Sequence, residues 1–354
     1  PDQKSFFDGD TRRYIDLYVA TAAAVKDVDP TAHVGGAADS DPSSPGGKLG
    51  PLVEYIRTHS AVPLDFLSFH RYCDPNGDGK PPYDLEWHDD VVGALAKLPG
   101  PGRETFVTEW NLSPAMDARP GADSDTNVLA AGAAVMIYKA LASHGLTRVF
   151  YFSPIEGFQP SRTFNGDLGL LTVNSHKKAV YNLFRMVSRL GNTMLRTDVS
   201  GDNTGGNATF ALATRDDARG NTSVLVWNDW DRETTLNLTV SNIPTESGSA
   251  CIMVTRYVID SAHANYYRDY RAGLRGFKVG PTESLEPVKQ QITISAGTIT
   301  QTERLAPFSV SLYVLGPTRS ATSGAPEVPP VLPKFNHAAG KAVTASSTTN
   351  APGW

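Results

Sequence analysis

Residues 10–191 alternate amphipathic helical stretches with short apolar runs, whereas residues 193–315 alternate apolar and polar positions with a period of two. The first pattern predicts helices packed on a parallel sheet, the second an antiparallel β-sandwich. Four β/α units can be counted, and eight close a barrel. The predicted fold class is therefore α/β: half of a (β/α)8 TIM barrel followed by an antiparallel β-sandwich domain.

The first helix is expected to start after Asp10, a good N-cap, to carry Tyr14, Leu17, Tyr18, Thr21 and Val25 at spacings of three and four, and to stop before Pro30. A strand at 32–36 follows. A helix at 52–58 then precedes a strand at 65–70 that ends on His70, and a helix at 89–98 precedes a strand at 105–110 that holds Glu109. The Ala-rich stretch 127–144, closed by Gly145, leads into a strand at 148–153 ending on Ser153. The last helix of this part spans 178–190, with Val180, Leu183, Phe184, Val187 and Leu190 on one face. Sandwich strands are expected at 209–214, 223–227, 235–240 and 308–315, and residues 320–333 have the Ser/Ala/Pro composition of a linker. The expected domains are 1–191 for the half-barrel, 192–316 for the sandwich, 317–335 for the linker and 336–354 for a further segment.

The 354 residues hold 32 Lys and Arg against 37 Asp and Glu, a net charge of −5, with no long basic run. That disfavours nucleic acid or an anionic membrane as partner. No apolar stretch reaches the roughly 18 to 20 residues of a membrane-spanning helix. Cys73 and Cys251 read as isolated thiols without zinc spacing. Glycosylation sequons occur at Asn111, Asn207, Asn221 and Asn237, triplets that strand-rich sequences also generate by chance.

Polar side chains gather where the strands of the first part end, at His70, Glu109 and Ser153, which is where the open face of an α/β barrel places its chemistry. Val107-Thr108-Glu109-Trp110-Asn111 is the sharpest of these signals. A carboxylate beside an indole suits glycoside hydrolysis, because an oxocarbenium-like transition state wants a nearby anion and sugar faces stack on aromatic rings. On the bare pattern, the same Glu reads as a structural ion-pair partner.

Several segments occur in an informative order: Pro1-Asp2-Gln3-Lys4-Ser5-Phe6-Phe7, Val34-Gly35-Gly36-Ala37-Ala38, Ser68-Phe69-His70-Arg71-Tyr72, Thr108-Glu109-Trp110-Asn111, Ser153-Pro154-Ile155-Glu156-Gly157-Phe158 and Tyr257-Val258-Ile259-Asp260-Ser261-Ala262-His263-Ala264-Asn265. This order resembles the family 39 glycoside hydrolases, the group of β-xylosidases and α-L-iduronidases, over roughly residues 1–316. The departures are Ala37 for a Pro, Pro154 for an Asp, and one Glu where the family's strand-eight segment has two. The resemblance implies that the half-barrel is the C-terminal half and that Glu109 is the nucleophile of a retaining hydrolase. The acid/base Glu would stand just before Pro1, in an Asn-Glu-Pro motif, and the implied mechanism calls for no metal or organic cofactor. It further implies substrate binding by His70, Tyr72, Trp110, Asn111, Glu156 and Phe158.

The implied partners are a β-xyloside or related glycoside, or an oligo- or polysaccharide, and the missing N-terminal half-barrel. Without that half the chain is expected to be inactive, and the parent is expected to be secreted or extracytoplasmic. Gly340-Lys341-Ala342-Val343-Thr344-Ala345-Ser346-Ser347 resembles the opening of a discoidin-like (factor 5/8 C-terminal) carbohydrate-binding module. The alternative from another class is a non-catalytic carbohydrate-binding or surface protein on a glycosidase scaffold, because fold does not guarantee activity.

Overall fold

The computed structural model describes residues 7, 10–40, 46–73, 103–112, 121–142, 146–157, 163–200, 210–243, 249–273, 282–295, 297–317, 342–343 and 351–352. The chain divides into two units, Pro1–Ala115 with Ser143–Phe152, and Met116–Ala142 with Ser153–Trp354.

In the first unit, α1 (Thr11–Val28) begins as its cap residue dictates: Asp10 Oδ1 accepts the Arg13 N–H at 2.8 Å. Ile15, Tyr18 and Ala22, at spacings of three and four, form its buried stripe. Past the helix, the Asp29 carboxylate accepts both the N–H and the hydroxyl of Thr31, at 2.8 and 2.7 Å. This local turn delays the first strand, so β1 spans Gly35–Asp39 and not the expected 32–36. Gly35 lies in register with Phe66, whose carbonyl oxygen would collide with any Cβ there.

At the far end of β1, Asp39 Oδ2 accepts the N–H groups of Lys48 and Leu49 at 2.6 and 2.7 Å, placing an anion on the N-terminus of α2 (Leu49–Thr58). With β2 (Phe66–Tyr72), β3 (Glu104–Asn111) and β4 (Arg148–Tyr151), β1 forms a parallel sheet in chain order. The helix expected at 89–98 and Gly145 lie outside the described residues.

The second unit opens with a 3-10 turn (Asp123–Asp125), α3 (Asn127–Ala142) and α4 (Ala179–Val187). Its antiparallel strands are β5 (Thr193–Met194), β6 (Phe210–Asp216), β7 (Asn221–Asn228), β8 (Thr234–Val240), β9 (Ser249–Ile259), β10 (Val288–Ser295), β11 (Ile299–Leu305) and β12 (Ser309–Pro317), with α5 (Tyr266–Arg271) between β9 and β10. Six of them form a sheet in the order β10-β9-β12-β7-β6-β5, while β8 and β11 pair as a separate ribbon. Alternate residues of the large sheet, Val224 and Val226 of β7 and Ile252 and Val254 of β9, share a core with Leu305 of β11 and with Leu236 and Leu238 of β8.

The division between units does not fall at residue 191 as the domain reading expects. Both α3 and α4 belong to the second unit, since α3 packs on β7 and β12 and α4 on α3 and β9. Asn127 anchors the start of α3 by donating to the Phe308 carbonyl at 2.7 Å, and Tyr138 sits 4.8 Å from the Phe210 ring. The expected linker is outside the described residues but for Pro317 at the end of β12, and the terminal segment contributes only the short ladder of β13 (Ala342–Val343) with β14 (Ala351–Pro352).

Candidate active site

The C-terminal end of β3 carries an irregularity that both neighbouring strands register. Against β2, Phe69 faces Val107 and His70 faces Glu109, so Thr108 is passed over. Against β4, Val107 faces Val149 while Trp110 faces Tyr151, one residue more on β3 than on its partner. Thr108 is thus the extra residue of a β-bulge.

Glu109, directly after the bulge, meets two side chains of β2. Its Oε2 accepts the Tyr72 hydroxyl at 2.8 Å and lies 3.3 Å from His70 Nδ1. The side chains of His70 and Glu109 are 25% and 30% exposed, open enough for a ligand yet held on one side by the strand. Among the described residues, Oε1 of Glu109 has no hydrogen-bond or ion-pair partner. Burial first, and then the bond to Glu109, push the Tyr72 phenol above its ordinary value, so Tyr72 remains a hydrogen-bond donor at neutral pH.

The remaining expected substrate contacts fall differently. Trp110 is only 3% exposed and meets the Tyr151 ring edge-on at 5.1 Å, so its indole packs the strand end and offers no open face to a sugar. Asn111 is fully buried; its amide donates to the Phe152 carbonyl at 2.7 Å and its oxygen accepts the Leu112 N–H at 2.7 Å. Its job is to fasten the end of β3, and its burial also removes it as a glycosylation acceptor.

Glu156 belongs to the second unit, where its carboxylate is fully buried 2.6 Å from Lys178 Nζ. A carboxyl group so enclosed is structural, with no surface left for a sugar hydroxyl. Phe158 lies outside the described residues. Cys73 is buried, and the described residues contain no cluster of metal-ligating side chains.

Sequence reasoning missed the bulge at Thr108 and the buried Lys178. A bulge leaves no mark in an apolar–polar pattern as short as Val107-Thr108-Glu109. Lysine is ordinarily exposed, so nothing in the sequence singles this one out.

The sequence profile of glycosyl hydrolases family 39 matches residues 1–277. The chain belongs to family 39. Within the reach of that match, a β-xylosidase of Geobacillus stearothermophilus is 28% identical over 212 residues, which is 54% of this chain and 40% of that protein. The chain therefore spans less than half the length of the curated relatives it matches. A family 39 enzyme from Xanthomonas axonopodis pv. citri superposes with a TM-score of 0.67 at 17% identity, over 87% of this chain and 65% of that one. A monomeric β-xylosidase from Caulobacter crescentus superposes with a TM-score of 0.66 at 17% identity, over 86% of this chain and 66% of that one. At this identity the likeness shows the fold, and it identifies the four-stranded parallel sheet as part of a TIM-barrel-like α/β architecture.

Proposed function

We propose that this family 39 chain carries the nucleophile of a retaining glycoside hydrolase acting on a β-xyloside or a related glycoside, and that Glu109 is that nucleophile. The observation that carries the reading is the asymmetry of the Glu109 carboxylate, with Oε2 engaged by Tyr72 and His70 and Oε1 unengaged among the described residues. The substrate class draws its support from relatives described as β-xylosidases.

In the proposed reaction Oε1 attacks the anomeric carbon while a second carboxyl group protonates the leaving oxygen. The resulting glycosyl ester is then hydrolysed by a water that the second carboxylate deprotonates. Retention requires the two carboxyl groups about 5 to 5.5 Å apart. We assign the second group to a Glu immediately before Pro1, and we assign to His70 a contact with a sugar hydroxyl. The same reading takes the chain as four of eight barrel units of a secreted parent, the layered strands of the second unit as a β-sandwich, and residues 336–354 as the opening of a discoidin-like module.

The test uses the full protein. Incubation with 2,4-dinitrophenyl 2-deoxy-2-fluoro-β-D-xyloside is expected to leave a stable fluoroxylosyl ester on the peptide containing Glu109. Glu109→Gly is expected to lose nearly all kcat and, with azide and an activated aryl xyloside, to form a xylosyl azide of inverted configuration. A label on another residue, or retention of more than about a tenth of kcat, equivalent to a barrier change below about 1.4 kcal/mol, overturns the assignment. A protein that binds xylosides yet neither hydrolyses them nor takes the label is the non-catalytic alternative.

A further inference from the structure

Side chains on a strand alternate between its two faces, and that rule conflicts with where Glu109 is found. Phe66, His70 and Tyr72 occupy even positions of β2 and so share a face. On β3, Phe106 belongs to the same face, since its ring stacks on Phe66 at 4.6 Å. Glu109 is three residues beyond Phe106, and in an unbroken strand it would turn to the opposite face. Its carboxylate nevertheless reaches both Tyr72 and His70. The extra residue at Thr108 resolves the conflict: it adds one step to β3, which restores Glu109 to the face of His70 and Tyr72.

The hydroxyl of Thr108 is tied to the same point. Its Oγ1 donates to the Phe69 carbonyl at 3.1 Å, directly where the pairing of β2 and β3 slips. A hydroxyl donor here bridges the two strands across the interrupted ladder, and the β-branched side chain suits an extended backbone. We propose that Thr108 is a positioning residue for the nucleophile: its hydroxyl clamps the bulge to β2 and thereby holds the Glu109 carboxylate against Tyr72 and His70. This rests on the reading of Glu109 as nucleophile.

Thr108→Val keeps the shape and the branch while removing the donor; Thr108→Ser keeps the donor and drops a methyl. The experiment measures the rate at which 2,4-dinitrophenyl 2-deoxy-2-fluoro-β-D-xyloside inactivates the full protein, together with the inhibition constant of xylose. With the nucleophile held less well, Thr108→Val is expected to be inactivated at least about tenfold more slowly, since small misplacements of reacting groups are expensive. Xylose affinity should stay within about threefold, because the sugar-binding groups are intact. Thr108→Ser should recover to within about threefold of the wild-type rate.

A Thr108→Val rate equal to wild type, or a Thr108→Ser rate as low as that of Thr108→Val, overturns the proposal. If Thr108→Val is not recovered folded, Thr108→Ser decides alone: a near wild-type rate supports the hydroxyl clamp, and a tenfold loss overturns it. Absence of a label on Glu109 in the unaltered protein overturns the nucleophile reading and this one together. A labelled Glu109 with an indifferent Thr108→Val overturns this one only.

Discussion

At the scale of single residues, the two contacts to Glu109 Oε2 have unequal chemistry. Tyr72 is a fixed donor whose proton is retained because burial and the adjacent carboxylate both disfavour a phenolate. His70 Nδ1, at 3.3 Å, donates only in the tautomer or charge state that carries its proton there. Tyr72 is therefore the contact that orients the carboxylate at every working pH, and Tyr72→Phe removes it with little change in shape. A hydrogen bond to a charged group is worth about 1.5 to 3 kcal/mol, so kcat on an aryl xyloside is expected to fall roughly 10- to 100-fold. Steady-state kinetics of the full protein check this, and a kcat within twofold of wild type would show that the Tyr72 contact does not set the orientation. That His70 and Glu109 lie near each other was legible because each stands at the polar end of an apolar run, whereas Tyr72 entered only through the resemblance carried by Ser68-Phe69-His70-Arg71-Tyr72. Trp110 and Asn111 were misread because adjacency in sequence does not reveal that the indole packs on Tyr151 or that the carboxamide is taken by the Phe152 carbonyl and the Leu112 N–H.

Among elements, the segment between β4 and α4 is tied by a buried ammonium. Lys178, the N-cap residue of α4, pairs its Nζ with Asp125 Oδ1 (2.8 Å) and Glu156 Oε1 (2.6 Å) and donates to the Asp167 carbonyl (2.6 Å). Asp125 Oδ2 in turn accepts the N–H groups of Gly121 and Gly166, both at 3.0 Å. Two carboxylates share one cation with no exposed side-chain surface among the three, and the burial of Glu156 raises its pKa from 4.5 to about 7 despite the neighbouring Lys178. A folded state that holds this proton more tightly than the unfolded chain is favoured by acid. The contribution is complete below about pH 4.5 and is lost as the pH rises to about 7. Glu156→Gln keeps an acceptor for Lys178 but cannot titrate. Its unfolding midpoint in urea should therefore depend less on pH between about 4.5 and 7 than that of the wild type. The slope should not vanish, because burial and then the nearby Asp123 push Asp229 up to about 7 as well, with the same sign. A slope as steep in Glu156→Gln as in the wild type would show that Glu156 stays ionised throughout. The order and type of the elements could be read from periodicity, but this knot could not, since it joins residues 53 positions apart through a side chain that sequence statistics place in water.

On the scale of the whole molecule, the parallel sheet is the element whose surroundings matter most. Parallel strands are ordinarily covered on both faces and read as apolar throughout. Here β4 has no fully buried residue, and Phe150 on it remains 47% exposed. Phe150 closes a row of rings that runs from Phe66 through Phe106, at 4.6 and 6.3 Å, along the face that also bears Glu109, His70 and Tyr72. Among the described residues β1 and β4 each have a strand on one side only, which leaves two edges able to pair with other chains. In the proposed eight-unit barrel both edges are paired and the ring row becomes the filled interior, with about 1.5 to 3 kcal/mol to be gained for each large side chain fully covered. Expressed as residues 1–354 alone, the chain is therefore expected to associate and to unfold without a sharp calorimetric transition. Joined to the four preceding β/α units that our reading assigns to the full protein, it should become monodisperse and unfold cooperatively. Light scattering and calorimetry on the two proteins decide the matter. A monodisperse monomer of residues 1–354 with one sharp transition would mean that four units cover their own edges and interior, and the eight-unit reading would have to be given up.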